Sequence, residues 1–249
     1  MGSPSKPLRV LHVGLWPDTG QGGGVDVASW PLLAAQVAQG VDVTMLVLGT
    51  VEQASQAEAA RVGVSLATAR SQRLETLSSE GRAKISRIRP DVVHFHSVFI
   101  PAHMQLARAL RRVGIPYFLT PHAGLNLWRG RLKKAIYGSL AEKPYFRRAA
   151  TIFVLTKREQ QVVERWLGPR GRSPQYEVLP NSMPLLSPGT DLWVPGAHQT
   201  LVYLGRFDVI KKGLDRLVEI ARLLPDVKVN AYGAAVLMPR PTSSIVSSR

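Results

Sequence analysis

The segment "LGRFDVIKKGLDRL", Leu204 to Leu217, sets Arg206, Lys211 and Lys212 around a short loop, between an apolar run ending in glycine and the start of a helical pattern. A negative group held there would meet side-chain cations and the free N–H groups of a helix N-terminus together. Fixed positive charge suits a diphosphate leaving group, on which negative charge accumulates as the bond to it breaks. Solvated surface cations are the plainer reading of the same residues. A glycine run, "DTGQGGGVD" from Asp18 to Asp26, follows the first apolar run and opens the first helical pattern. Its backbone N–H groups can hold a phosphate, and adjacent glycines let a ligand approach the main chain closely. The run is not G-x-G-x-x-G, and no acidic residue closes the second strand as a ribose ligand would.

"TPHAG", Thr120 to Gly124, places His122 just past a strand terminus and before a glycine, at the edge where open α/β sheets bind ligands. There it can hydrogen-bond a sugar hydroxyl or a leaving phosphate, or serve the fold alone. Histidines 94, 96, 103 and 122 together invite a metal reading, since imidazole is a common ligand. His94 and His96 in "HFHS" share one strand face, but no cysteine or nearby carboxylate accompanies them, so no metal is expected. Serine-elbow, phosphate-loop and paired-carboxylate patterns do not stand out, which turns the reading away from hydrolases and kinases.

The elements that must position these residues alternate. Apolar runs at Leu8–Gly14, Val41–Gly49 and Asp91–Ser97, then "IPYFLT", "TIFVLT" and "YEVLP", read as strands. Helical spacing lies between them in "VASWPLLAAQVAQG", "PAHMQLARALRRVG", "GRLKKAIYGSLAEKPYFRRA" and "KREQQVVERWLG". Alternation of this kind predicts a parallel sheet covered by helices on both faces. Glu52 to Arg70, polar and alanine-rich, receives no assignment. The expected domains are 8–180, a Rossmann-like unit, and 200–233, the beginning of a second, joined by a proline- and glycine-punctuated linker over 181–199. Residues 234–249 show neither period and read as a disordered tail.

Composition is ordinary for a globular chain, 45% hydrophobic and 20% charged, with no apolar stretch of membrane-spanning length and no cysteine. A cytoplasmic protein is expected, since the N-terminus lacks the apolar run of a secretory signal. The net charge of +15 is uneven: Leu106 to Arg172 holds fifteen Lys or Arg against three acids. Such a field attracts phosphates or anionic lipid whatever the fold. No nucleic-acid recognition motif accompanies it, so nucleic acid is not an expected partner.

Taken together, "GGGVD", "DVVHFHS", "TPHAG", "RRAATIFVLTKREQQVV", "VLPNSM" and "LGRFDVIKKGLDRLVEIA" resemble, in order and approximate spacing, the retaining GT-B-fold glycosyltransferases of family 4. The resemblance covers nearly all of Leu8 to Gly233. It implies an α/β, GT-B-like fold with a complete N-terminal Rossmann-like domain and the first part of a second. It implies transfer of a hexose from a nucleotide-diphosphate sugar to a glycan or lipid-linked acceptor, with retention and no metal or other cofactor. Gly23 and Gly24 would approach the donor phosphates, and His122 would contact the transferred sugar as the catalytic residue. Arg206 and Lys212 would hold the diphosphate, with Lys211 the alternative lysine, and Gly233 would begin a glycine turn near the nucleotide. Ser182 stands where the family usually shows glycine, and the chain ends before the family's spaced pair of glutamates. Impaired catalysis is therefore expected. The other reading is a non-catalytic module that binds an acceptor or docks peripherally on an anionic membrane at its inner face, where "LWRGRLKKAIYGSL" mixes aromatic and basic residues.

Overall fold

The computed structural model describes residues 6–14, 24–51, 53–69, 71–72, 76–77, 79–125, 136–169, 171–181, 200–205, 207 and 212–233. The chain divides into two compact units, Met1–Leu185 and Leu186–Arg249.

In the first unit the expected alternation is present. Strands β1 (Arg9–Gly14), β2 (Asp42–Leu48), β3 (Ser65–Ala69), β4 (Val92–His96), β5 (Tyr117–Thr120), β6 (Thr151–Val154) and β7 (Gln175–Val178) form one sheet in the order β3-β2-β1-β4-β5-β6-β7. Every pairing in it is parallel. The central strands are buried on both sides because helices cover both faces. Helices α1 (Gly24–Ala38) and α2 (Gln53–Val62) follow β1 and β2. Trp30, Leu33 and Ala59 from them pack with Val43, Met45 and Val47 in one core. Helices α3 (Ser79–Ile88), α4 (Pro101–Arg112), α5 (Lys143–Arg148) and α6 (Lys157–Leu167) build the larger core on Leu11, Phe95, Leu119 and Ile152. These four sheet residues are fully buried. Within the expected helix around 130–149, Gly138–Glu142 winds as a π-helix before α5 begins.

Glu52 to Arg70, unassigned from sequence, supplies α2 and the edge strand β3. Only Ser55 and Ala59 of α2 are buried, so the helix carries no apolar stripe. β3, "SLATA", is an edge strand that pairs on one side only. A two-residue antiparallel pair, Ser71–Gln72 with Thr76–Leu77, follows it.

The second unit contains β8 (Thr200–Leu204), α7 (Leu214–Leu223) and β9 (Lys228–Tyr232), with β8 and β9 paired in parallel. Gly213 precedes α7 at φ 67°, a left-handed conformation that glycine adopts at little cost. Most of the expected linker, 182–199, and the expected tail, 234–249, lie outside the described residues.

Candidate functional site

Sheet register assembles a histidine cluster that no local stretch announces. β1 pairs with β4 so that His12 lies in register with His94, and β4 pairs with β5 so that His96 lies opposite Thr120. Two-residue alternation sends His12, His94 and His96 to one face of the sheet. All three are buried. His12 Nε2 lies 2.7 Å from Gln36 Oε1 of α1, and His12 Nδ1 lies 2.9 Å from His96 Nε2. His96 Nδ1 lies 3.0 Å from His122 Nε2. His94 turns aside, with Nε2 2.7 Å from Thr120 Oγ1 and its ring 4.3 Å from that of His96. A continuous line of hydrogen bonds thus runs from Gln36 through the sheet to His122 at its carboxyl edge.

The turn that carries His122 is strained and held from outside. His122 and Ala123 have φ of 51° and 55°, conformations that residues with a Cβ rarely adopt. Glu159, in the first turn of α6, receives the Ala123 N–H at 2.6 Å on one carboxylate oxygen and the Leu155 N–H at 2.7 Å on the other. Thr156 caps the same helix by accepting the Glu159 N–H. Gly124 admits the closest packing: a Cβ there would stand 2.7 Å from Val98 Cγ2 and 2.9 Å from the Pro121 carbonyl oxygen. A second strained turn lies after β4, where Ser97 and Phe99 have φ of 72° and 60°. The buried Glu142 Oε1 accepts the Phe99 N–H at 2.8 Å. Strain concentrated at one sheet edge and clamped by two carboxylates is a mark of functional sites.

Burial keeps the cluster neutral. Desolvation lowers His12 and His122 to about 4, against an opposing pull from Gln36 on the first and Asn181 on the second. His94 and His96 are lowered further, by desolvation first and then by neighbouring imidazoles. His122 Nδ1 is buried and makes no bond of ordinary hydrogen-bond geometry among the described residues, although Asn181 is near enough to act on its titration. Desolvation raises Glu142 to about 7 against the stabilising Phe99 N–H, and its Oε2 is buried without a partner among the described residues.

His12, His94 and His96 each offer a nitrogen within 4.8 Å of the others, which is the geometry a cation would need. Both nitrogens of His12 and of His96 already serve hydrogen bonds, so a cation would have to break one at each ring. His103 stands apart, on α4 against Phe95, with both ring nitrogens buried and unpartnered among the described residues.

Of the residues marked in the sequence, His122 reaches the carboxyl edge of the sheet and Gly24 opens α1, the helix after β1. Lys212 is exposed just before Gly213, and Gly233 follows β9, both within the second unit. Gly23, Arg206 and Lys211 lie outside the described residues. Sequence reading missed His12, Gln36 and the clamp Glu159. A histidine in the otherwise apolar run "RVLHVG" was the available signal for His12.

The same architecture is known in solved structures. The Anabaena Alr3699/HepE protein, crystallised in complex with UDP and glucose, is 15% identical and superposes with a TM-score of 0.61 over 92% of this chain and 62% of its own. A glycotransferase of kitacinnamycin is also 15% identical, with a TM-score of 0.52 over 91% of this chain and 66% of its own. The chain therefore spans under two thirds of the length of either. No curated protein matches it in sequence. Residues 23–182, from the glycine run through the strained turns to Asn181, match the profile of the glycosyl transferase 4-like domain, and the chain belongs to that family.

Proposed function

We propose that the chain serves transfer of a hexose from a nucleotide-diphosphate sugar to a glycan or lipid-linked acceptor, with retention of configuration. The observation that carries this is the His122 turn: a strained, clamped histidine at the carboxyl edge of a parallel sheet, inside a glycosyl transferase 4-like domain. The solved relative with UDP and glucose supports a nucleotide sugar as donor. In this reading His122 takes the transferred sugar, and Gly23 and Gly24 admit the donor phosphates to the backbone. Arg206 and Lys212, or Lys211, offset the charge that grows on the diphosphate, and Gly233 lies near the nucleotide. The bond from the anomeric carbon to the diphosphate oxygen breaks as the bond to the acceptor oxygen forms on the same face. The acceptor's hydroxyl proton passes to the departing diphosphate. No metal is required where side-chain cations do this work.

Calorimetric titration of UDP, GDP and ADP into the full chain tests the donor half of the reading, with a labelled-hexose transfer assay on the sugar nucleotide whose base binds. One nucleotide is expected to bind in the micromolar range. Failure of all three to bind would overturn it.

One observation favours a second, compatible reading, peripheral docking on an anionic membrane from the cytoplasm. At the amino-terminal edge of the sheet, opposite His122, a cavity of about 780 Å³ is lined by Arg108, Arg111, Arg112, Arg148 and Arg172. None of the five forms an ion pair among the described residues. Leu140 lines it too and is 74% exposed. Cations around an exposed apolar side chain suit a lipid headgroup region. No helix among the described residues is long and apolar enough to cross a membrane. Sedimentation with vesicles should require anionic lipid and weaken in Arg111→Glu/Arg148→Glu; binding indifferent to lipid charge would remove this reading.

A further inference from the structure

The hydrogen-bond line behind His122 has a direction, and the direction decides what His122 can bind. A neutral imidazole has one N–H and one lone pair, so fixing either nitrogen fixes the other. Gln36 Oε1 can only accept, which puts the His12 proton on Nε2 and leaves Nδ1 as an acceptor. His96 must then donate from Nε2 to His12 Nδ1, leaving its own Nδ1 to accept. His122 must donate from Nε2 to His96 Nδ1. Its remaining nitrogen, Nδ1, is left with a lone pair; it makes no hydrogen bond of ordinary geometry among the described residues, and the neighbouring Asn181 side chain, whose pull favours a proton on the ring, works against this tautomer rather than for it.

We propose that Gln36, acting through His12 and His96, is a positioning residue that holds His122 as a hydrogen-bond acceptor at Nδ1, so that the ligand group His122 takes is a hydroxyl and not an ionised phosphate oxygen. The inference rests on the reading that His122 faces the donor. It goes beyond that reading by choosing between the two groups the sequence leaves open. An ionised phosphate oxygen only accepts, so against Nδ1 it would set lone pair against lone pair. A sugar hydroxyl donates and satisfies the buried nitrogen. Aligned bonds in a low-dielectric interior also polarise one another, which strengthens His122 Nδ1 as an acceptor. The strained backbone at His122 complements this: the turn fixes where the ring sits, and the line fixes which nitrogen carries the proton. The elements involved, β1, α1, β4 and the turn after β5, are separate in sequence, so no local motif encodes the device.

Long-range proton–nitrogen NMR on the full chain, with ¹⁵N-labelled histidine, reads the tautomer of each ring directly and independently of any catalysis. At neutral pH, His12, His96 and His122 should all carry the proton on Nε2; a proton on His122 Nδ1 would overturn the proposal. Gln36→Leu removes the anchor and should shift the nitrogen signals of His122 across the intervening rings. Gln36→Glu, which keeps an acceptor, should leave the Nε2–H pattern intact. A Gln36→Leu protein that is folded and leaves the His122 signals unmoved would sink the idea of transmission. Should Gln36→Leu fail to fold, an altered tautomer pattern in Gln36→Glu does so instead. Titration with UDP-glucose should move the His122 Nδ1 signal, whereas inorganic phosphate should not, and a phosphate response equal to that of UDP-glucose would overturn the assignment. Gln36→Leu should also weaken UDP-glucose binding about three- to tenfold. If UDP-glucose does not bind at all while the tautomer pattern holds, the donor reading fails and the relay stands.

Discussion

The two units share one strand–helix–strand rhythm and differ in what the rhythm buries. In the first, Leu11, Phe95, Leu119 and Ile152 are fully buried between helix layers, and the sheet runs seven strands wide. In the second, α7 buries no residue, and Val202, Leu204 and Leu223 are 61%, 84% and 78% exposed. A strand pattern therefore specifies a strand without specifying a core. Burial needs layers on both faces, and apolar area removed from water is what stabilises the sheet, at about 25 cal/mol per Å². Stability, and the histidine line that depends on it, should accordingly reside in the first unit.

Acid should expose the difference most. His12 and His122 are depressed to about 4 and His103 to about 3, with His94 and His96 lower than their ordinary value as well. Depressed histidines bind protons in the unfolded chain first, so their contribution is present above pH ~6.5 and is lost as pH falls toward 4. His12 and His103, both fully buried, should each cost roughly 3 kcal/mol by pH 4, about 6 kcal/mol together. Glu142 acts in the opposite sense and offsets part of it. Thermal melts from pH 8 to pH 4 should show a steep loss in the transition of the first unit. A melting temperature flat to pH 4.5 would mean the rings are not buried neutral.

Truncation tests the same contrast by packing. Phe95→Ala should cost about 3 to 5 kcal/mol in urea denaturation, since a fully buried aromatic leaves a cavity. Leu204→Ala, at an exposed position, should stay within about 0.5 kcal/mol. Equal losses at the two positions would erase the distinction between the units.

At the strained edge, Glu142→Gln should be stabilising. The carboxyl is raised to about 7, so above that pH the fold holds a buried charge with one unpartnered oxygen. Glutamine still accepts the Phe99 N–H. The gain should be about 1 to 2 kcal/mol at pH 8 and should vanish as pH falls through ~4.5, where the unfolded carboxyl also protonates. A pH-independent effect would show that charge is not the cause.

How much of this was legible in sequence depended on how local each signal was. β1, β2 and β4 announced themselves as apolar runs, and "TPHAG" marked the site because a histidine before glycine past a strand end is a local pattern. α2 stayed hidden, since a helix that buries only Ser55 and Ala59 has no stripe to read. The relay stayed hidden for another reason: His12 meets His96 across 84 residues, through a register that only the folded sheet supplies. Glu159 counted as one acid in a basic stretch until the turn it clamps was placed beside α6.

The smallest expected effect separates the histidines from one another. His103 and His12 are equally buried and equally neutral, yet His12 has partners on both nitrogens and His103 has none among the described residues. An unpartnered polar atom in a core carries a desolvation cost with no compensating bond, whereas a partnered one leaves orphans behind when it is removed. His103→Leu should therefore stabilise the fold by about 1 kcal/mol at pH 8, because leucine fills the space against Phe95 without polar atoms. It should also make the acid loss shallower. His12→Leu should instead destabilise by about 1 to 3 kcal/mol at pH 8, as Gln36 Oε1 and His96 Nε2 lose their partner, while it too removes a depressed ring and makes the acid loss shallower. Paired thermal melts at pH 8 and pH 5 decide it. If the two substitutions destabilise equally, the rings differ only in address, and the directed line from Gln36 to His122 loses its energetic basis.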